Sequence, residues 1–220
     1  MRTLAILHAF ALALLSTMDP AGSAHAQALA DVCQPVEQPV VGGWARYRLR
    51  GARDSTEMRL ALVGTATWGG TAHVWQESLI PTPVGETVIQ TLVPAHPYDP
   101  TTVRRAILKA PGRDPVEVPA SALLAMRQHA QGAVGLDACR TGLAVAWETL
   151  EVPAGRLRAM HVRYAREGRT AEVWLAPAVP FALVRSLVAS PGDADPIELV
   201  LVGHGRDAVP TVPLPAGPPR

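Results

Sequence analysis

The chain has 220 residues, 48% hydrophobic and 18% charged, with 20 Lys+Arg against 19 Asp+Glu for a formal net charge of +1. So even a balance lacks the basic footprint of a nucleic-acid binder, and the length suits one domain with a sizeable core. Aromatics make up only 5%, yet five of them are tryptophans, so the position of each tryptophan is informative.

Residues 1–26 read as an export signal. Arg2 and the amino terminus precede the apolar run Leu4–Leu15, and Ala24–His25–Ala26 offers small residues for cleavage, with Ala26–Gln27–Ala28 as a second register. The run would span about 18 Å as a helix, short of a bilayer core of roughly 30 Å, and Asp19, Pro20 and Gly22 break it. A lipid anchor at Cys33 does not fit, because Val32 and Ala30 stand in the reverse of the order that bacterial lipoprotein signals use. The expectation is a cleaved, soluble periplasmic protein, not an integral membrane protein. In that oxidising compartment Cys33 and Cys139 should form a disulfide.

Residues 27–41, with Pro35 and Pro39, read as an extended lead-in. Trp44–Arg50 alternates strictly, with Ala45, Tyr47 and Leu49 on one face and Arg46, Arg48 and Arg50 on the other. The arginine row is an anion-binding stripe or, more simply, the solvated face of a sheet. Glu57–Gly64 returns with Met58, Leu60 and Leu62; Trp68–Thr71 turns the chain; His73–Ile80 carries Trp75; and Thr87–Val93 comes back. Residues 101–110 suit a helix or a strand, with strand favoured.

Pro119–Gln131 reads as a helix, with Ser121 as N-cap, Leu123, Leu124 and Met126 on its apolar side and Gly132 as its stop. Residues 133–142 read as a loop holding Cys139. Leu143–Val152 carries Trp147, and a strand from Gly155 carries Leu157, Met160, Val162 and Tyr164. Residues 167–169 form a tight turn, Glu172–Ala176 includes Trp174, and the Pro177–Pro180 corner leads to Leu183–Ser190. Ile197–Val202 is a last strand, and the proline-rich residues 207–220 read as a disordered tail.

Catalytic chemistry finds little footing here. His73, His96, His129, His161 and His204 lack metal-ligand spacing. Glu77 and Glu148 lie beside tryptophan-bearing positions and could form an acid–base pair, but solvated glutamates explain them more simply. No serine sits in a G-x-S-x-G setting, and no glycine cluster follows the strand-to-helix phosphate pattern. The expectation is a protein without enzymatic activity, metal or cofactor.

The blocks GGWARYRL at 42–49, LALVGTATWGGTAHVWQES at 60–78, LKAPGRDPVEVP at 108–119, VPAGRLRAMHVRY at 152–164, VWLAPAVPFALVRS at 173–186 and ELVLVGHG at 198–205 carry a resemblance. Their order and spacing resemble the LolA/LolB-like superfamily of exported lipoprotein carriers, above all its outer-membrane lipoprotein-sorting-like members, over residues 42–206. The resemblance implies a mainly β fold: a curved antiparallel sheet, an unclosed half-barrel, with covering helices and an apolar cavity that in the carriers holds lipoprotein acyl chains. Alternation nominates Tyr47, Leu49, Leu60, Leu62, Met160, Val162 and Tyr164 as cavity-lining. Trp75, Trp147 and Trp174 are either large contributors to that cavity or plain core. A helix around Leu123, Leu124 and Met126 would form the lid. Two functions follow: binding an apolar ligand or the lipidated end of a protein, or serving as a sensory or structural module that meets an envelope protein partner with its core filled. A cavity of several hundred Å³ separates them.

Overall fold

The computed structural model describes residues 20–51, 54–123, 133–166, 168–189 and 196–215. Helix α1 (Pro20–Glu37) is followed by strands β1 (Trp44–Arg50), β2 (Ser55–Trp68), β3 (Thr71–Thr82), β4 (Gly85–Pro94), β5 (Arg105–Lys109) and β6 (Val116–Glu117). Helix α2 (Ala133–Thr141) then leads into β7 (Leu143–Val152), β8 (Gly155–Arg166), β9 (Arg169–Leu175), β10 (Leu183–Ala189) and β11 (Ile197–Gly205). The strands form one sheet in the order β6-β5-β4-β3-β2-β1-β11-β10-β9-β8-β7. Each neighbouring pair is antiparallel, and β6 and β7 are left as its two edges. The fold is a curved half-barrel that does not close.

The sheet consists of two meanders joined where β1 pairs with β11. Short turns make each meander possible. Trp68 and Thr71 are joined through Gly69 and Gly70, both at positive φ, a conformation open to glycine without a Cβ penalty. Register divides the side chains. Tyr47 lies opposite Met58 and Leu201, and Met160 opposite Leu175, on the face we call inner. Arg48, Val200, Arg185, Trp174 and His161 are successive partners on the outer face.

Both helices serve the inner face. Val32, Cys33 and Val36 of α1 and Leu136 and Ala138 of α2 are buried in the same cluster as Tyr47, Leu60, Leu62, Met160, Val162, Val173 and Leu201. The Cys33–Cys139 disulfide joins the two helices, with Cα atoms 5.7 Å apart, as the cysteine content led us to expect. Residues 27–37, read as extended, are helical: Val32, Cys33 and Val36 share one buried side, and packing with the bridge outweighs the bond lost at Pro35. Residues 133–141, read as a loop, are helical for the same reason. Buried Leu136 and Ala138 override the weak propensity of Gly135.

Of the helix expected over 119–131, residues 120–123 are helical and Leu123 is buried in the main cluster. Leu124, Met126 and the rest lie outside the described residues, as do residues 1–19 of the export signal read over 1–26, whose last seven residues open α1. Residues 207–215 form neither helix nor strand, in keeping with their prolines, but they are tied to the sheet. Ala208 N–H donates to the Gly42 carbonyl at 2.9 Å, and Trp44 Nε1 donates to Asp207 at 2.7 Å. Among the described residues no helix is long and apolar enough to cross a membrane.

Candidate functional site

The inner face is where a half-barrel would hold a ligand, and among the described residues apolar side chains pack together across it. Tyr47, Leu60, Leu62, Met160 and Val162 are buried together, while Trp147 and Tyr164 pack against them half-buried. Leu49 lies farther out on the same side of β1, half-buried. Among the described residues a cavity lies between sheet and helix, lined by Tyr47, Met58, Leu60, Gly135, Phe181, Leu183 and Leu199, with a volume of about 30 Å³. That is room for about one water molecule.

The polar feature of this cavity is the Tyr47 hydroxyl, buried without a hydrogen-bond partner among the described residues. Burial also pushes its phenol well above the ordinary tyrosine range. An unpartnered buried hydroxyl costs about 1–3 kcal/mol. Tyr47→Phe should therefore be neutral or stabilise by up to about 1 kcal/mol, a rise of roughly 2–4 °C in Tm. Thermal unfolding of the two proteins checks this, and a clear loss would mean that the hydroxyl has a partner worth keeping.

Phe181 closes the cavity from the connection between β9 and β10. Phe181 and Ala182 have φ of 65° and 55°, the left-handed region that non-glycine residues avoid. The connection is held by the Ala176 N–H on the Ala182 carbonyl at 2.7 Å and by the buried Val179 and Phe181 side chains. Sequence reading marked the proline corner but not the phenylalanine after it. A lone Phe carries no signal of which way a loop will fold.

Two tryptophans nominated for the cavity lie on the other face. Trp75 belongs to an outer cluster with Ala61, Val63, Leu79, Val88, Leu92 and Ile107, beneath Ala208 and Val212. Trp174 is register partner to His161 and Arg185; its ring stacks on His161 at 4.6 Å, and its Nε1 donates to Glu148 at 2.8 Å. Trp147, opposite Met160, stays on the inner side.

The acid–base pair imagined from Glu77 and Glu148 does not assemble. Glu77 is on β3 and Glu148 on the edge strand β7, far apart in the sheet order. Each has local work: Glu148 joins His161 Nδ1 at 3.1 Å to Trp174, and Glu77 accepts from Gln90 and Thr211. The arginine row is paired in place without being balanced: Arg46 and Arg48 share Glu57, and Arg50 shares Glu198 with Arg185. Arg48 pairs with Glu57 at 2.9 Å, Arg50 with Glu198 at 3.6 Å, and Arg46 with Glu57 at 3.9 Å. It is a cross-strand ladder on a solvated face, each pair contributing about 1 kcal/mol or less. Among the described residues no group of three His, Cys, Asp or Glu stands together to hold a metal ion.

Among the described residues, open clefts border the helices. One, of about 290 Å³, is lined by Glu37, Gln38, His96, Pro97, Tyr98, Leu136 and Arg140. The other, of about 200 Å³, lies among Gln34, Pro35, Gln38, Val40, Gly43, Pro177, Val179, Pro180 and Arg206.

No protein-family model matches the chain, and no curated protein matches it in sequence. Solved structures do match in shape. A chain of the Pseudomonas aeruginosa MucA/MucB complex aligns at 10% identity and a TM-score of 0.50, over 86% of this chain and 59% of its own. A protein described as a lipoprotein from Parabacteroides distasonis aligns at 13% identity and TM-score 0.39, over 78% and 98%. An exported protein with a YmcC-like fold from Bacteroides fragilis aligns at 11% identity and TM-score 0.38, over 76% and 96%. This chain therefore spans less than two thirds of the chain it matches in the MucA/MucB complex. At such identities the likeness concerns architecture alone. What the chain shares with its match in the MucA/MucB complex is the fold alone.

Proposed function

We propose that this protein is an exported half-barrel that works by binding another protein of the cell envelope, with its inner face filled by its own side chains. The carrying observation is the inner cavity of about 30 Å³, roughly a tenth or less of the 300–1,000 Å³ typical of small-molecule sites. The Cys33–Cys139 bridge, which clamps α1 and α2 together over that face, supports the same reading and an oxidising compartment. Cleavage after Ala26 or Ala28 would deliver the chain to the periplasm and still leave Val32, Cys33 and Val36 in place on the sheet. The MucA/MucB likeness adds a precedent in which this fold is found with a protein partner.

One observation favours the second reading, a carrier of an apolar or lipid-like ligand. The lining of the small cavity is apolar apart from the Tyr47 hydroxyl, and Phe181 plugs it from a loop with left-handed residues. Outward movement of that loop would join the space beside Tyr47, Met58 and Leu60 to solvent. Titration with a fluorescent fatty-acid analogue decides between the two. The filled module gives no saturable signal, and stoichiometric binding would hand the assignment to the carrier.

A further inference from the structure

The outer face of β2–β5 holds a groove, and the C-terminal segment of the chain lies in it. Its floor is apolar, built from Ala61, Val63, Trp75, Leu79, Leu92 and Ile107. At its centre stand Glu77 and Gln90, both fully buried. The Thr211 backbone N–H donates to Glu77 Oε2 at 3.0 Å and its hydroxyl to Oε1 at 2.9 Å. Gln90 Nε2 donates to Glu77 at 2.9 Å and to the Val212 carbonyl at 2.8 Å. The Val212 side chain is buried in the floor, and Leu214 covers Gly64, where a Cβ would collide with it. Pro210 and Pro213 bracket this contact and favour an extended chain before it docks. The segment adds no strand to the sheet. It is held as a bound peptide is held, by a polar anchor and apolar plugs.

It is also an incomplete occupant. Gln90 spends its amide on Glu77 and Val212, and its Oε1 is buried with no donor among the described residues. The residue after Val212 is Pro213, which has no N–H to offer. A segment with the same Thr and apolar residues plus one more donor would satisfy the groove better than this one does.

We propose that the groove is a peptide-docking site for the protein partner, and that residues 207–215 fill it in cis as a displaceable strap. This rests on the protein-binding reading above. The partner chemistry follows from the contacts: an extended, proline-flanked segment presenting a Thr or Ser N–H and hydroxyl to Glu77, then an apolar residue, then a donor for Gln90 Oε1. A tethered strap competes at an effective concentration on the order of millimolar. The extra donor is what lets a partner win against it.

The test uses the full chain. Val212→Asp places a carboxylate on the apolar floor beside Glu77 and should eject the strap. Labelled peptides with the sequence of residues 207–215, native and with Pro213→Ser, are then titrated by fluorescence anisotropy. Both should bind Val212→Asp saturably, the serine peptide more tightly, and wild type at least tenfold more weakly; adding Glu77→Ala should abolish binding. A Val212→Asp protein that keeps its circular dichroism and its disulfide yet binds neither peptide overturns the proposal. So does exchange of straps into a dimer, seen by light scattering, which would assign the groove to a second copy. Should Val212→Asp not fold, hydrogen exchange of the wild type decides. The Thr211 amide must open faster than the amides of β3 and β4, and equal protection would make the segment a permanent seam. The fatty-acid titration reports on the inner face only, so failure here with a negative result there removes the groove and leaves the module reading standing.

Discussion

Replacing Cys33 and Cys139 together with alanine is expected to lower stability by roughly 4–5 kcal/mol, the chain-entropy figure for a loop of about a hundred residues. The bridge closes a sequence separation of 106 and joins α1 to α2, the two helices that cover the inner face. Neither helix has an acidic residue in its first turn, and α1 carries Pro35, so isolated helix propensity does little to hold them. Without the bridge, α1 is held by Val32, Val36 and their neighbours alone, and its detachment would uncover the inner cluster. Denaturant unfolding of the double variant and of reduced wild type checks this. Both should lose stability by a similar amount, and a change below about 1 kcal/mol in either would mean that the helices dock without help.

Leu62→Ala comes next in expected size. Leu62 is fully buried on β2, in the inner cluster that also holds Leu60 and Met160. Truncating a buried leucine typically costs 2–5 kcal/mol, with the larger values where the surroundings cannot collapse into the gap. Strands of a hydrogen-bonded sheet on one side and disulfide-linked helices on the other leave little freedom to collapse, so about 3–4 kcal/mol is expected here. Chemical denaturation measures it. The variant also bears on function: it should open a dry void within the inner cluster and begin to take up small apolar probes that wild type excludes. A loss under about 1 kcal/mol would imply that the inner face already tolerates empty space, as a carrier's would.

Alternation made the strands legible in the sequence, because a half-buried sheet writes its period directly into the chain. Trp44–Arg50 and Leu143–Val152 match their strands end for end, and the inner set of Tyr47, Leu60, Leu62, Met160 and Val162 came from the same period. What alternation could not reveal was which face a tryptophan takes from one strand to the next. Register slips at bulges between Leu62 and Gly64 on β2 and between Leu183 and Arg185 on β10, and a bulge reverses the parity with no compositional mark. Trp75 and Trp174 lie across such slips. The docked strap was equally hidden. A proline-rich segment without periodicity reads as free chain, and its contacts with Glu77 and Gln90 come from residues more than a hundred positions away. The two helices of the inner face were missed because tertiary burial and the disulfide, not local propensity, decide them.

If the inner face is packed with the protein's own side chains and a partner is met at the surface, the protein leaves the cell envelope without a bound lipid. Native mass spectrometry of the protein recovered from the periplasmic fraction tests this most directly. One bare species is expected, a chain beginning at Gln27 or Leu29 with its disulfide formed and no bound lipid. A stoichiometric lipid adduct that survives purification would contradict it.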